Sequence, residues 1–486
     1  MRWVLPALVA SAFLTLPAQA GELRNYEDAA LHAVQFVDRN EGWAVGDEGV
    51  VWHTMDGGLL WEKQPTGVRA SLRSLHFLNP YTGWVVGREE LPHGAGSVGV
   101  LLFTEDGGLT WRQAGLDAFP GLNYVRFLDN TKGFVAGDGT DQFPTGVLAT
   151  VDSGRTWRPV QGSRRPSWLT GDFSDGQNGM LAGTWNRLGS LHQGALTDVE
   201  VSLLDRRNLT GLQRLGQRGL AVGQGGLVLV SDNPGDRWTP ADIKLTTEVR
   251  AAWDFHAVHG LGDHVWVGGR PGSAILHSKD RGQTWEVLRT GQPLPLHGLF
   301  FIDPEHGWAV GEFGTILATA DGGKTWSVQH RCGQRAAVLF LQAGSGLVPL
   351  DTLAYLGGQE SYLATAVRVN CPDGESAAPA QALTEQRFAA AVRQVGGATG
   401  ELLWQFPVPE HLAHASQAEL LKTWDRWHAD RAAEALLRQM VLALRMWRPD
   451  VVVIPAPDER VAGSPAEALV AEAVRAAFKQ AADPAA

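Results

Sequence analysis

Along roughly the first 330 residues, apolar positions come in short runs broken by Gly, Asn and Asp. The first stretch sets the pattern: Ala33-Val34-Gln35-Phe36, then Gly42-Trp43-Ala44-Val45-Gly46, then Val50-Val51-Trp52-His53, then Trp61-Glu62-Lys63. Runs this short, bounded by turn residues, read as strands rather than helices. The pattern predicts a unit of four strands, and the unit recurs. A Gly-aromatic-apolar-apolar-Gly phrase closes at Gly46, Gly87, Gly137, Gly183, Gly223, Gly268 and Gly311. Seven copies at 40 to 50 residues each predict a seven-bladed β-propeller.

A second phrase, Thr-x-Asp-Gly-Gly-x-Thr-Trp, marks the turn before the fourth strand. Its aspartates are Asp56, Asp106, Asp152, Asp232, Asp280 and Asp321, and its tryptophans are Trp61, Trp111, Trp157, Trp238, Trp285 and Trp326. The Asp can accept backbone N–H bonds and the glycines can take positive φ. The Trp is expected to pack between neighbouring blades. The fourth unit, Gly179-Met180-Leu181-Ala182-Gly183, has no such turn phrase but still counts as a blade.

Beyond Trp326 the pattern changes. Strands are expected at 336–342, 364–370 and 451–454, with helices at about 384–395 and 417–447 and a last one opening at Ser464-Pro465-Ala466-Glu467. Ser416-Gln417-Ala418-Glu419 is a capping box. Strands alternating with helices predict a parallel sheet. The expected fold is therefore mainly β: a propeller over 21–330 followed by a smaller α/β, Rossmann-like domain over 331–486.

Composition adds an address and two exclusions. Arg2, the apolar stretch Val4 to Leu16 and Ala18-Gln19-Ala20 form a secretory signal peptide over 1–20, too short to span a membrane. The expected location is the periplasm or cell envelope, with no stable membrane span after cleavage. A net charge of −11 argues against general nucleic-acid binding. Export permits a disulfide between the two cysteines, Cys332 and Cys371. Two unrelated thiols are the alternative.

The paired phrases resemble the photosystem II stability and assembly factors, exported Asp-box (BNR-type) propellers. The likeness covers about residues 25 to 330, best at Phe300 to Gly311 and Asp321 to Trp326. It implies a non-catalytic factor that docks a membrane-protein subunit through an arginine-rich face. Here the candidate docking residues are Arg69, Arg73, Arg164, Arg165 and Arg250, on loops entering the first strand of a blade. The loops on the same face also carry Asp47, Glu48, Glu89, Glu90, Asp138, Asp141 and Glu312, so the expected face is of mixed charge.

Residues 336 to 480 distantly resemble the PIG-L/LmbE-type zinc deacetylases, by strand order and by Arg448-Pro449-Asp450. That family's ligating positions fall on Ala343, Gly346 and Glu467. Only Glu467 can donate, and a catalytic zinc needs about three protein ligands. Glu467 also suits a helix start with Ser464 and Pro465. The expectation is a degenerate deacetylase-like domain, with no metal and no cofactor. An active sugar deacetylase and a glycan-binding or sialidase-like propeller remain as alternatives. A sialidase needs a tyrosine nucleophile, for which the propeller offers Tyr26, Tyr81 and Tyr124. Two histidine groups, His256/His259/His264 and His411/His414/His428, lack the spacing or the companions of a metal shell. The partner's identity and the oligomeric state are left open by the sequence.

Overall fold

The computed structural model describes residues 26–483 apart from 93–95, 115–118, 166, 200, 202–206, 234–236, 344–348, 370–383, 409–411, 413–414 and 456–463. The signal peptide, Cys371, Gly346, His411 and His414 therefore lie outside the described residues. So does the expected bridge, of which Cys332 is the exposed half.

Seven blade sheets follow one another, each with four antiparallel strands in chain order from the inside out; blades 2 and 4 carry a fifth, Phe119–Pro120 and Gln161–Gly162, the latter pairing parallel. The inner strands are Leu31–Phe36, Ser71–Phe77, Leu122–Phe127, Trp168–Phe173, Leu209–Leu215, Asp254–Leu261 and Leu296–Phe301. Each lies beside the next, and the last returns to the first, closing a ring. The propeller expected from the repeat is present with all seven blades. Blade 4 replaces the missing turn phrase with a two-residue hairpin, Gln193-Gly194, both at positive φ.

At five of the seven joints a Phe ending the inner strand holds neighbouring blades together; blades 5 and 6 have Leu215 and Leu261 there. Trp43 on blade 1 stacks on Phe77 of blade 2 at 3.7 Å, Trp84 on Phe127 at 3.5 Å, Trp266 on Phe301 at 3.7 Å, and Trp308 on Phe36 at 3.5 Å across the seam. The Asp-box Trp of the same blade meets that Phe edge-on, as Trp61 meets Phe36 and Trp157 meets Phe127. The stacked rings lie face to face, and the T-shaped contact adds the edge-on approach that the aromatic quadrupole favours. The two sequence phrases thus converge on a single ring.

The closing glycine of blade 6 is Gly269, not Gly268. Gly46 pairs with Leu31 as Gly269 pairs with Phe255. A Cβ on Gly269 would meet the Asp254 carbonyl at 2.0 Å, whereas one on Gly268 meets only a Leu299 methyl at 3.1 Å.

Past blade 7 stands a four-stranded parallel sheet in the order Thr399–Leu402, Ala364–Arg368, Val338–Gln342, Val451–Val453. The helices are α1 (Thr247–Ala251, a short insertion before blade 6), α2 (Leu350–Leu353), α3 (Thr384–Gln394), α4 (Gln417–Asp425), α5 (Ala432–Trp447) and α6 (Pro465–Ala481). The single helix expected at 417–447 is two. Ala429 and Asp430 take positive φ, and the Asp425 carboxylate accepts the Ala432 N–H, starting α5 afresh. The Ser416 capping box is formed. Ser464 precedes α6 with Pro465 in the first turn, but its side chain makes no capping bond.

The second unit is seated on the propeller. Leu294 and Phe313 of blade 7 are buried in its core cluster, with Phe313 5.6 Å from Trp447. That apolar clamp leaves α3 and the strand Thr399–Leu402 over the central channel.

Candidate functional site

The inner strands enclose a channel of about 720 Å³. In a four-stranded meander, the second-to-third and blade-to-blade loops emerge at one end and the Asp-box turns at the other. At the first end the channel mouth is roofed by Glu385, Gln386, Ala389 and Arg393 of α3 and by Thr399 and Gly400.

The mouth is built from polar groups at equivalent places in different blades. Asp47, just after the second strand of blade 1, is almost fully buried. It accepts from His32 Nε2 at 2.9 Å and from the Ser71 hydroxyl, and pairs with Arg393 Nη1 at 2.9 Å. Burial alone would raise its pKa, but Arg393, His32 and Arg73 hold it well below the ordinary range. Its counterpart in blade 7, Glu312, accepts from His297 Nε2 at 2.9 Å and from the Thr399 hydroxyl at 3.2 Å through the same oxygen. Its other oxygen, Oε2, is buried with no hydrogen-bond partner.

Because carboxylates only accept, Nε2 carries the proton in His32 and His297. His297 Nδ1 is then free to accept from His256 Nδ1 at 3.1 Å, and Arg73 donates to His32 Nδ1 at 3.4 Å. Burial, aided by Arg73, pushes His32 down to about 3; burial, aided by His297, does the same to His256. Opposite them on α3, burial next to Asp254 and Glu401 raises Glu385 to about 7.

Around the rim the contacts are mostly polar. Arg387 faces Glu90 at 3.7 Å, Trp404 donates to Asp254 at 3.0 Å, Arg270 donates to Gln439 at 3.0 Å and pairs with Glu401, and Gln386 reaches Asn123 at 3.5 Å. Arg88 is consumed within the propeller by Asp138 and Glu90, at 2.7 and 2.6 Å.

The five candidate arginines fall in different settings. Arg73 lines the channel. Arg165 is buried against Asp198 at 2.9 Å. Arg164 is exposed and paired with Asp141 at 2.6 Å. Arg69 is exposed, and Arg250 is half-buried in α1. The structure does not bring them into one patch; of the acids expected beside them, Asp47 and Glu312 line the mouth, Glu90 meets α3 at its rim, and Asp141 stays with Arg164. What sequence reasoning missed is the roof, α3, whose arginines answer those acids.

The first histidine group is dispersed as alternation implies: His256 and His259 line the channel, while His264 stacks on His277 at the outer side of blade 6. His428 bonds the Gln405 carbonyl. Ala343 is buried at the end of its strand. Among the described residues no cluster of His, Cys, Asp or Glu has the geometry to hold a metal ion. Among them, too, no helix is long and apolar enough to cross a membrane.

Residues 22–158 and 209–299 match the family model for the photosynthesis system II assembly factor Ycf48. Two curated relatives are the photosystem II assembly lipoproteins Ycf48 of Nostoc sp., 32% identical over 20% of this chain and 28% of the relative, and of Synechococcus sp., 33% identical over 21% and 30%. The chloroplastic photosystem II stability/assembly factor HCF136 of rice is 26% identical over 22% of this chain and 26% of its own. The chain thus spans less than a third of the length of these relatives in each alignment. Among solved structures, Ycf48 bound to a D1 peptide gives a TM-score of 0.49 at 23% identity, over 60% of this chain and 92% of that one. Ycf48 of Cyanidioschyzon merolae gives 0.48 at 18%, over 60% and 96%. The propeller is photosystem II assembly factor-like.

Proposed function

We propose that this protein is an exported, non-catalytic docking factor whose propeller binds a protein partner, a membrane-protein subunit of the envelope. One observation carries the reading: the assembly-factor family model matches through blades 1 to 3 and blades 5 and 6. The chemistry agrees with it. The Asp-box carboxylates of Asp56, Asp106, Asp152, Asp280 and Asp321 are spent on their own turns, Asp232 pairs with Arg218, and the channel histidines His32, His297 and His259 are locked to carboxylates and a carbonyl. A rigid ring with loop-borne side chains is a recognition scaffold. Export rests on the signal sequence and accords with the lipoprotein and chloroplast names of the relatives. On this reading 21–330 is the docking unit, 331–486 is its cap, and Arg69 and Arg164 supply contacts at the open rim. The test is affinity capture with cross-linking from the native envelope fraction. A membrane polypeptide should be retained; recovery of soluble sugars alone would overturn the reading.

A further inference from the structure

The roof over the channel is joined to the propeller in two unlike ways. On the blade 7 side the contact is apolar, through Leu294, Phe313 and Trp447. Over the mouth it is made by charges, and it is incompletely satisfied. Glu312 Oε2, Glu90 Oε2 and Gln386 Oε1 are all buried there without a hydrogen-bond partner. Glu312 is itself only 6% exposed and lines the channel. Buried polar groups are ordinarily paired, and a half-satisfied network is weaker than either a complete one or an apolar surface. The mouth therefore has unused capacity to accept hydrogen bonds, beside two buried donors, Arg73 Nε and Arg270 Nη2, that also lack a hydrogen-bond partner.

That capacity has a sign. Arg88 already serves Asp138 and Glu90, and Arg270 serves Glu401. Arg73 points its guanidinium at His32. The propeller groups that take an ionic partner from α3 are carboxylates, Asp47 through Oδ2 and Glu90 through Oε2, and Glu312 Oε2 beside them is left over. Helix α3 answers with Arg393 on Asp47 and Arg387 on Glu90, six residues apart. Its apolar residues Phe388 and Val392, with Val395 just past its end, turn the other way, into its own sheet. The helix thus meets the propeller as a basic ligand meets an acidic site.

We infer that the acidic channel mouth is a docking surface for a helical segment carrying two arginines, and that α3 is its resident occupant in this chain, displaced when a partner segment of that chemistry binds. The inference rests on the docking reading above and supplies the partner's chemistry, a basic helix. It also reverses the expected polarity, in which arginines of the propeller do the binding.

The test uses the full chain and a labelled synthetic peptide copying residues 384–394. Two variants are designed to lift the roof: Arg387→Glu with Arg393→Glu, which turns attraction into repulsion, and Ala389→Trp, a wedge that keeps both arginines. Far-UV dichroism and hydrogen exchange across the blades show that each remains folded. Lifting appears as faster exchange of α3 and of the Asp47 amide, which bonds the Ala30 carbonyl. The peptide should bind both lifted variants at least tenfold more tightly than the native chain, and a peptide with both arginines changed to glutamate should not bind. Equal binding to native and lifted chains, equal binding of the glutamate peptide, or failure of both variants to speed exchange at the mouth would overturn the inference. No natural partner is involved, so this result and the envelope capture can fail separately.

Discussion

At the scale of single residues, the Asp box shows how one side chain organises a turn. Asp321 Oδ1 accepts the Thr325 N–H and the Thr319 hydroxyl, and Oδ2 accepts the Thr325 hydroxyl at 2.6 Å. Asp106, Asp152 and Asp280 repeat the arrangement. All four carboxyls are drawn down to about 2. At Asp106 and Asp152 the Thr hydroxyl is the leading cause; at Asp280 and Asp321 burial opposes the shift and the hydroxyl and backbone bonds outweigh it. Bonds to the ionised form lower a pKa. A lowered carboxyl adds stability that is present above the unfolded value, near 4, and is lost as pH falls towards 2. Blade 1 differs: Leu60 stands where the Thr would, more than half exposed, and Asp56 lacks the hydroxyl bond. Thr325→Val should therefore raise the Asp321 pKa, destabilise blade 7 by about 1 kcal/mol and leave Asp56 untouched. Carboxyl titration by NMR, read with the thermal midpoint, checks both; an unmoved Asp321 would contradict the account.

At the scale of strands and helices, close approach decides more than propensity. The glycine ending each second strand lies against a carbonyl of its own inner strand: a Cβ would meet Ala30 O at 2.1 Å from Gly46, Gly121 O at 1.9 Å from Gly137 and Pro295 O at 2.1 Å from Gly311. These positions need glycine for space. Gly137→Ala should cost roughly 1–3 kcal/mol by overpacking and lower the unfolding temperature. An unchanged midpoint would mean that the strand can slide. The blades were legible because the residues that space and stack them recur in the chain itself. Blade 6 misled by one position because Gly268 and Gly269 are adjacent, and only the register distinguishes them. The strand Thr399–Leu402 was missed because Thr-Gly-Glu-Leu carries no apolar run. The break between α4 and α5 was missed because Ala and Asp adopt positive φ there under the pull of Asp425. The mouth was half legible. Its acids stand after recurrent phrases, but Arg393 on Asp47 and Thr399 on Glu312 join residues far apart in the chain, which no spacing announces.

At the scale of the whole molecule, the seat between cap and propeller is a titratable joint. His32 and His256, at about 3 when seated, are kept neutral by burial, with Arg73 and His297 reinforcing. Glu385, at about 7, and Glu401, also raised, are pushed up by burial, against Arg270 in the case of Glu401. Asp47, Arg393, Glu312, His297, Asp254 and Arg270 complete the charged surroundings. The two classes have opposite signs. Lowered histidines favour the seated form above their free value near 6.5 and lose that contribution as pH falls towards 3. Raised glutamates favour it below their free value near 4.5 and lose that contribution as pH rises through the seated value. Between pH 6.5 and 4.5 the released form binds two extra protons on histidine, and the seated form offsets them with one on Glu385 and a further share on Glu401, so the seat should depend on pH less than the histidines alone require. Just below 4.5 the glutamates are protonated in both forms and the histidines dominate, so seating should weaken by about 2.7 kcal/mol per pH unit, and at lower pH protonation of the released Asp47 adds to the loss. Glu385→Gln removes one compensating proton. Below pH 6.5 the variant should weaken more steeply than the native chain, by about 1.4 kcal/mol per unit more. Hydrogen exchange of α3 across this range measures the difference. Parallel curves for the two proteins would show that Glu385 does not titrate with seating, and the opposed burial of acid and imidazole at the mouth would no longer explain how the cap holds.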